Sequence, residues 1–284
     1  MDLRLFRRGD KAFGIHGPAQ DGAHWRRTVV AEERGLALGR GSILRSATRR
    51  HRYRVEIDVD PSGRGRGIGR ALFDQLLDVR AEPYPLMARA MTSRPDRLAV
   101  ATALGFEVLM TCPSPQVEPA AAAVRDWCDL QHCPDGISVV PVGAVSGSSL
   151  VDAWTTQYEW VHLTWAPIIS REAVSASFEE QMVPTIGATP SMVALHDQRI
   201  VALGFVSGQA WDGRTFVGAE TVLADEWRGD QLVASVTAAM LRELARQHYA
   251  LVEFEGHDSD PHIDIIKSIP ALRHDPLTIL ITPT

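Results

Sequence analysis

A stretch rich in glycine and arginine, DPSGRGRGIGRALFDQLL at residues 60–77, holds residue types suited to binding an anion. Apolar residues recur every three or four positions after Gly67, which predicts an amphipathic helix. The first N–H groups of a helix lack partners within it, and glycines let them converge on phosphate oxygens. Arg64, Arg66 and Arg70 add charged donors. The stretch therefore predicts a phosphate-binding loop.

The segment before this loop places two carboxylates on one face of a strand. RYRVEIDV (52–59) alternates strictly, so Glu56 and Asp58 share a face with Arg54, opposite three apolar side chains. Glu56 is either a base beside a substrate or a surface carboxylate paired with Arg54. The loop follows a third or fourth antiparallel strand, whereas a dinucleotide fingerprint follows the first strand of a βαβ unit.

The elements around this strand and loop are those of an α+β domain. The patterns predict a strand over 1–10, a hairpin turning at residues 34–35, the strand 52–59 and a helix from residue 68. A strand over 84–90, a helix near 95–104 and a strand at FEVLM follow. Proline at both ends of residues 112–137 and alanine between them predict a connecting segment with one helix.

The second half of the chain repeats this order of elements. Helices are predicted over 148–164 and 171–183, and a hairpin is predicted to turn at Asp197–Gln198. Strands and helices then alternate to the final strand, LTILI. Glu220 lies eight residues before Arg228, as Glu56 lies eight before Arg64. We expect a duplicated domain, with a first copy over 1–112, a linker over 113–137 and a second copy over 138–284.

Composition and charge narrow the class of protein. The chain has 284 residues and a net charge of −6, divided as +4 over 1–135 and −10 over 136–284, so one half suits an anion and the other a cation. No apolar stretch approaches the roughly 18 residues of a membrane span, and no signal peptide is evident, so we expect no membrane partner and a cytoplasmic location. The scattered basic residues and few aromatics argue against nucleic acid. Three cysteines fit no common zinc pattern, and no metal is expected.

The loop residues resemble the acyl-CoA pyrophosphate loop of the GNAT (Gcn5-related) N-acetyltransferases. The pattern V-x-P-x-x-R-x-x-G-x-G is met by Val59, Pro61, Arg64, Gly67 and Gly69. ALGFEVL (103–109) is similar to the downstream Leu-Gly-Phe of that family. The whole chain resembles a tandem pair of such domains, an arrangement like that of mycothiol synthase and related actinobacterial acetyltransferases.

The resemblance implies a fold, a cofactor and the residues that bind it. The expected fold class is α+β, with two tandem GNAT-like domains, each a mixed, mostly antiparallel twisted sheet flanked by helices. The implied cofactor is acetyl-CoA or another acyl-CoA. Its amide groups would pair with the backbone of Ile57 and Val59. Its pyrophosphate would lie on the loop formed by Arg64, Gly65, Arg66, Gly67, Ile68, Gly69 and Arg70.

The two copies depart from the family pattern in opposite ways. Aligned on Arg228, the second loop has Gln231 and Val233 in place of glycines and an added Asp230, so we expect it to be vacant. The first copy has only residues 11–26 between its first two strands, which leaves little room for the two helices that shape an acceptor pocket in the family. The second copy has both helices, including four aromatic residues: Trp154, Tyr158, Trp160 and Trp165. These aromatics are expected in the core, with Trp160 a candidate for a pocket wall. We therefore hypothesise that the first copy binds the cofactor and that the second supplies an acidic wall for a cationic acceptor.

The chemistry implied is amide formation from a thioester. The attacking amine must be neutral, and its pKa of about 10 makes a nearby base useful. Glu56, directly or through water, is the first candidate, and Asp58 is the second. The backbone around Val59 would stabilise the oxyanion. The tyrosine that often protonates the thiolate in the family is Ala101 here, beside Thr102, and His162 and Glu159 are further residues considered near the acceptor.

These observations predict an acyl-CoA-dependent N-acyltransferase of the GNAT type. The acceptor would be a primary amine of a small molecule or peptide, attacking directly in a ternary complex. The alternative, from another class, is a non-catalytic acyl-CoA sensor or scaffold built from degenerate GNAT copies.

Overall fold

The computed structural model describes residues 1–283, except residues 23, 47, 50, 182, 212–213 and 222–228. The chain forms two compact units. The first comprises Met1–Leu109 and Thr278–Thr284, and the second comprises Met110–Leu277. These limits differ from the expected boundaries at 112 and 138, because the segment 113–137 is part of the second unit.

The helices and strands follow the predicted order. The N-terminal part forms β1 (Asp2–Leu5), β2 (Trp25–Glu33), β3 (Leu36–Arg45), β4 (Tyr53–Val59), α1 (Ile68–Val79), β5 (Leu86–Met91), α2 (Pro95–Ala103), β6 (Glu107–Cys112), β7 (Pro115–Val117) and α3 (Ala122–Asp129). The C-terminal part forms β8 (Ile137–Pro141), α4 (Gly147–His162), α5 (Arg171–Gln181), α6 (Val183–Ile186), β9 (Met192–His196), β10 (Arg199–Trp211), β11 (Arg214–Thr221), α7 (Gly229–Arg246), β12 (Val252–Phe254), α8 (Ile263–Ser268), β13 (Arg273–His274) and β14 (Leu277–Ile281).

The first unit is a seven-stranded mixed sheet with strand order β1-β2-β3-β4-β5-β14-β6. Strands β1 to β4 are antiparallel, and β4 and β5 are parallel. The β2–β3 hairpin turns at Arg34 and Gly35, both with positive φ, as predicted. Helix α1 packs its apolar stripe, Ile68, Leu72 and Leu76, against the sheet. The segment between β1 and β2 contains turns and bridges and, among its described residues, no helix.

The second unit repeats this plan. Its sheet has the order β13-β7-β12-β11-β10-β9-β8, with β11 and β12 as the parallel pair. Helix α7 packs on the sheet through its buried apolar face, and α4 and α5 pack around Trp154 and Phe178. The β9–β10 hairpin turns at Asp197 and Gln198, as predicted. No helix in the described part of the chain has the length and apolar character needed to cross a bilayer.

Each sheet contains a strand from the other half of the chain. Strand β14 lies between β5 and β6 in the first unit, where the Thr282 N–H donates to the Leu86 carbonyl at 2.9 Å. Strand β7 lies between β12 and β13 in the second unit, where Gln116 donates to the buried carboxylate of Glu253 at 2.8 Å. The expected linker therefore contains a sheet strand as well as the short helix α3. Periodicity shows that a strand is buried but not which sheet buries it.

Candidate functional site

The strands β4 and β5 separate and leave a gap in the first sheet. Among the described residues they pair only at Tyr53↔Leu86 and Arg54↔Met87. The Tyr53 N–H points toward β5, where it donates to the Pro85 carbonyl at 2.9 Å. Main-chain groups two residues apart in a strand point the same way. The backbone N–H and C=O groups of Ile57 and Val59 therefore face the gap.

The start of helix α1 presents a row of free amides. Gly65 and Gly67 have φ of +73° and +77°, and a Cβ built on either glycine meets nothing within 4 Å. The first helical hydrogen bond runs from the Ala71 N–H to the Gly67 carbonyl. Within the described part of the chain, the N–H groups of residues 65–70 donate to no acceptor. Six consecutive donors without an acceptor beside open space are suited to binding an anion, and we call residues 65–70 the cradle.

The three loop arginines do not act together on this cradle. Arg64 lines the cleft, where its Nε donates to the Val59 carbonyl at 3.5 Å. The Arg66 guanidinium is instead paired with Glu33 at 2.7 Å, and Arg70 donates to the Ala103 carbonyl at 2.6 Å. Arg66 and Arg70 thus contribute backbone amides, while their side chains are bound to other groups.

The gap and the cradle belong to one cleft of about 1300 Å³, which is open to solvent. Its lining includes every residue predicted for the site except Arg66 and Arg70. The apolar side of the cleft consists of Phe73, Ala88, Ala101, Leu104, Phe106 and Leu280. Leu280 comes from β14, so the C-terminal segment helps to form the cleft of the N-terminal sheet.

Glu56 and Asp58 lie on the cleft and are each partly exposed. Glu56 accepts a hydrogen bond from Arg54 at 3.1 Å. Asp58 accepts one from Arg97 at 2.9 Å and lies 3.0 Å from His16 Nε2. The hydrogen bond with His16 is the main cause that holds the pKa of the Asp58 carboxyl below its usual value. Burial opposes the effect, and the charge of Arg97 adds to it.

His16 is a residue of this site that the sequence did not indicate. It lies between β1 and β2, and only 1% of its surface is exposed. Its Nδ1 lies 2.8 Å from Ser42 Oγ, which lies 2.7 Å from Thr28 Oγ1. The available signal was that Thr28 and Ser42 are polar residues at paired cross-strand positions, next to the apolar residues Val29 and Ile43. Nothing in the sequence joined them to His16.

His16, Glu56 and Asp58 also bring three potential metal-ligand atoms within 4.8 Å of one another. The guanidinium groups of Arg54 and Arg97 already neutralise part of the charge of the two carboxylates, so this donor set does not favour a divalent metal ion. Elsewhere in the described part of the chain, Cys112 and Cys128 are buried thiols and Cys133 is an exposed one. Burial raises the pKa of the Cys128 thiol to about 11, which disfavours the thiolate that a metal site needs.

The cleft has no proton-donating side chain at residue 101, the position of the tyrosine expected from the GNAT resemblance. Ala101 lines the cleft, and no residue in its described lining is a tyrosine. The Thr102 hydroxyl donates to the Leu98 carbonyl at 3.1 Å within the helix. Neither residue offers a proton to a leaving thiolate.

The corresponding helix start in the second unit is filled by a side chain. A Cβ built on Gly229 would lie 2.1 Å from His262 Cε1. The His262 Nδ1 lies 2.8 Å from the Asp230 carboxylate. Val233 is fully buried and Gln231 is exposed. Arg228, on which the second loop was aligned, falls outside the described residues.

The remaining candidates of the second unit are structural. His162 is buried, and its Nδ1 lies 2.8 Å from the Tyr158 carbonyl. Glu159 pairs with Arg171 at 3.1 Å. Trp160 lines a narrow crevice beside His262, which has room for no more than about one water molecule. Trp154 and Trp165 are buried, as expected of core aromatics, and Tyr158 is half-buried against the cluster that contains Trp154.

Comparisons with known proteins define the class to which this fold belongs. No protein-family model and no curated protein matches the sequence. A tandem GNAT protein from the clavulanic acid biosynthesis pathway matches with a TM-score of 0.67 and 19% identity, over 94% of this chain and 86% of that chain. A GCN5-related N-acetyltransferase from Sphaerobacter thermophilus matches with a TM-score of 0.63 and 16% identity, over 92% and 81%. One from Kribbella flavida matches with a TM-score of 0.54 and 16% identity, over 86% and 87%.

These likenesses establish the fold. The chain is an α+β protein with the tandem GNAT arrangement of two mixed-sheet units, and the predicted fold class is confirmed. The particular likeness to mycothiol synthase stays a prediction from the sequence.

Proposed function

We propose that the protein is an acyl-CoA-dependent N-acyltransferase, with acetyl-CoA as the donor, and that its first unit binds the donor. The observation that carries the proposal is the row of free amides at residues 65–70 beside the open gap in the sheet. A diphosphate fits these amides because they supply converging donors and the positive end of a helix. Arg64 adds a charged donor at the same place.

The gap between β4 and β5 suits the extended arm of the donor. The backbone groups of Ile57 and Val59 face this gap and offer the hydrogen bonds of a strand edge to the amides of that arm. The same N–H groups would stabilise the oxyanion of the thioester during attack. The apolar side chains opposite exclude water from the reacting carbon.

The carboxylates supply the base. Glu56 accepts a proton from the acceptor ammonium, and the freed lone pair attacks the thioester carbon. Asp58 is a weaker base because His16 and Arg97 favour its ionised form. Two carboxylates with oxygens within 4.8 Å suit one ammonium group, so the acceptor would be a cationic primary amine of a small molecule or peptide.

Binding to the full chain tests the donor site. Isothermal titration should give one acetyl-CoA per chain, and Gly67→Asp should weaken binding by about 100-fold, because a carboxylate would lie in the anion cradle. Gly35→Asp is the matched control: Gly35 also has positive φ and open space, but lies at a hairpin turn. S-acetylpantetheine, which lacks the nucleotide diphosphate, should bind weakly and equally to both variants. Equal acetyl-CoA affinity for the two variants would overturn the assignment.

Thiol release from acetyl-CoA with a panel of amines tests the enzyme against the predicted sensor or scaffold. Glu56→Gln should lower kcat by roughly 100-fold and leave acetyl-CoA affinity unchanged, since it removes only the base. Glu107→Gln, at an exposed position of the same unit, is the control. Tight binding with no amine-dependent turnover would favour the sensor.

A further inference from the structure

A chain of buried hydrogen bonds ends on the Asp58 carboxylate. The Gly17 N–H donates to Thr28 Oγ1 at 3.2 Å, and this hydroxyl lies 2.7 Å from that of Ser42. Ser42 Oγ lies 2.8 Å from His16 Nδ1, and His16 Nε2 lies 3.0 Å from Asp58 Oδ2. Thr28 and Ser42 are buried on adjacent strands, in register with each other.

The direction of these hydrogen bonds, from donor to acceptor, follows from the number of protons available. Thr28 accepts from a backbone amide and keeps its own proton for Ser42, and Ser42 then donates to His16 Nδ1. The single N–H of a neutral imidazole is therefore on Nε2 and donates to Asp58. With the proton on Nδ1, a nitrogen lone pair would face the ionised Asp58 carboxylate at 3.0 Å. Protonation of both nitrogens would turn the Ser42 hydroxyl toward Thr28, whose own proton has no other acceptor among the described residues.

Charged side chains face Asp58 from each of the elements around it. His16 approaches from the β1–β2 segment, and Arg97 approaches from α2. Arg40 lies opposite Asp58 on β3. Glu56 lies two residues away on β4, and Arg94 acts at longer range. Among the described residues, Asp58 thus has two directed donors, His16 and Arg97, whereas Glu56 has one, Arg54.

We propose that His16 is a positioning residue for the acceptor amine. Its Nε2–H fixes the Asp58 carboxylate in the ionised state and aims it along the cleft. Asp58 then anchors the acceptor ammonium and stays ionised, while Glu56 takes the proton. In that step an N–H bond breaks, its electron pair stays on nitrogen, an O–H bond forms on Glu56, and His16 remains neutral. This assignment rests on the proposed N-acyltransferase function, since the ammonium is its acceptor.

The arrangement of His16 and Asp58 can be tested without cofactor or activity. Carboxyl ¹³C NMR of the full chain, assigned with Asp58→Asn, follows the titration of Asp58. We expect His16→Phe to raise the pKa of Asp58 and His16→Gln to keep it low, because a glutamine amide can donate to Asp58 and accept from Ser42. Imidazole ¹⁵N shifts should report the Nε2–H tautomer in the wild type. An Asp58 titration unchanged in His16→Phe, or an Nδ1–H tautomer, would overturn the proposal.

Kinetics separate positioning from a purely structural role. His16→Phe should raise KM for the amine by about tenfold and change the affinity for acetyl-CoA less than twofold. His16→Gln should recover most of the loss, and His24→Phe, an exposed histidine of the same segment, is the matched control. An equal loss in His16→Phe and His16→Gln would contradict the donor role. If the wild type failed to bind acetyl-CoA, the proposed function would fail, while the NMR result would still decide whether His16 holds Asp58 in the ionised state.

Discussion

The starts of helices α1 and α7 differ in what lies above their glycines. Gly65 and Gly67 border open space, and six amides beside them are free. Gly229 lies under the imidazole of His262, which is tied to Asp230. Both helices open after an Arg-Gly pair, so the pair alone does not make an anion site. The neighbouring side chains decide whether such a helix start is open.

The largest expected effect comes from changing the strands that complete the two sheets, β14 in the first unit and β7 in the second. Leu280→Asp should destabilise the first unit, and Val117→Asp the second, each by about 3 kcal/mol or more, because each change buries a charge. Hydrogen exchange should show lost protection over β2–β6 for Leu280→Asp and over β8–β12 for Val117→Asp.

Leu272→Asp, at an exposed position, should change stability by less than about 0.5 kcal/mol and serves as the control. If each variant instead loosened the half of the chain that contains it, the strand exchange would be contradicted.

A smaller effect sharpens the contrast between the two helix starts. Gly229→Ala should cost about 2 kcal/mol, since the new Cβ must displace His262. Gly65→Ala should cost about 1 kcal/mol, since only the positive φ is strained. Denaturant unfolding measures both. A larger cost for Gly65→Ala would mean that the second helix start is not tightly filled.

The smallest expected effect concerns the pairs of a histidine with an aspartate. Each unit holds a histidine beside an aspartate: His16 with Asp58 at the cleft, and His257 with Asp260 in the core. The pKa of Asp58 is lowered in the folded state, so its contribution to stability is present above the unfolded value of about 3.9 and is lost as pH falls through the folded value. In Asp58→Asn this loss of stability at acid pH should be absent. The resulting difference from the wild type in the free energy of unfolding should be less than about 1 kcal/mol, because Asp58 is partly exposed. Chemical unfolding at pH 3 and pH 6 measures it, and identical slopes would contradict the stabilisation of the ionised Asp58 carboxylate in the folded state.

Local pattern was enough to predict β4, α1 and the loop between them, because alternation, helical spacing and glycine each act over a few residues. The two hairpin turns were predictable for the same reason. His16 was not, since its partners Thr28 and Ser42 are brought near only by the sheet. The directions of Arg66 and Arg70 depend on distant acceptors, Glu33 and the Ala103 carbonyl.

The closed state of the second helix start was predicted in part. Gln231, Val233 and Asp230 argued against a phosphate, but the side chain that fills the space, His262, lies 33 residues after Gly229. The exchange of β7 and β14 was missed because an apolar strand has the same periodicity in either sheet. A single sequence gives little information about contacts between residues that are far apart in the chain.

The position of β14 between β5 and β6 delays completion of the first sheet until late in synthesis. Strand β6 ends at Cys112 and β14 begins at Leu277, so a ribosome adding about 5 to 20 residues per second needs roughly ten to thirty seconds between them. Throughout that interval the nascent first unit has unpaired edges on β5 and β6, the kind of surface that chaperones cover. The cleft of the first sheet, which includes Leu280, is completed only when the residues of β14 have emerged from the ribosome.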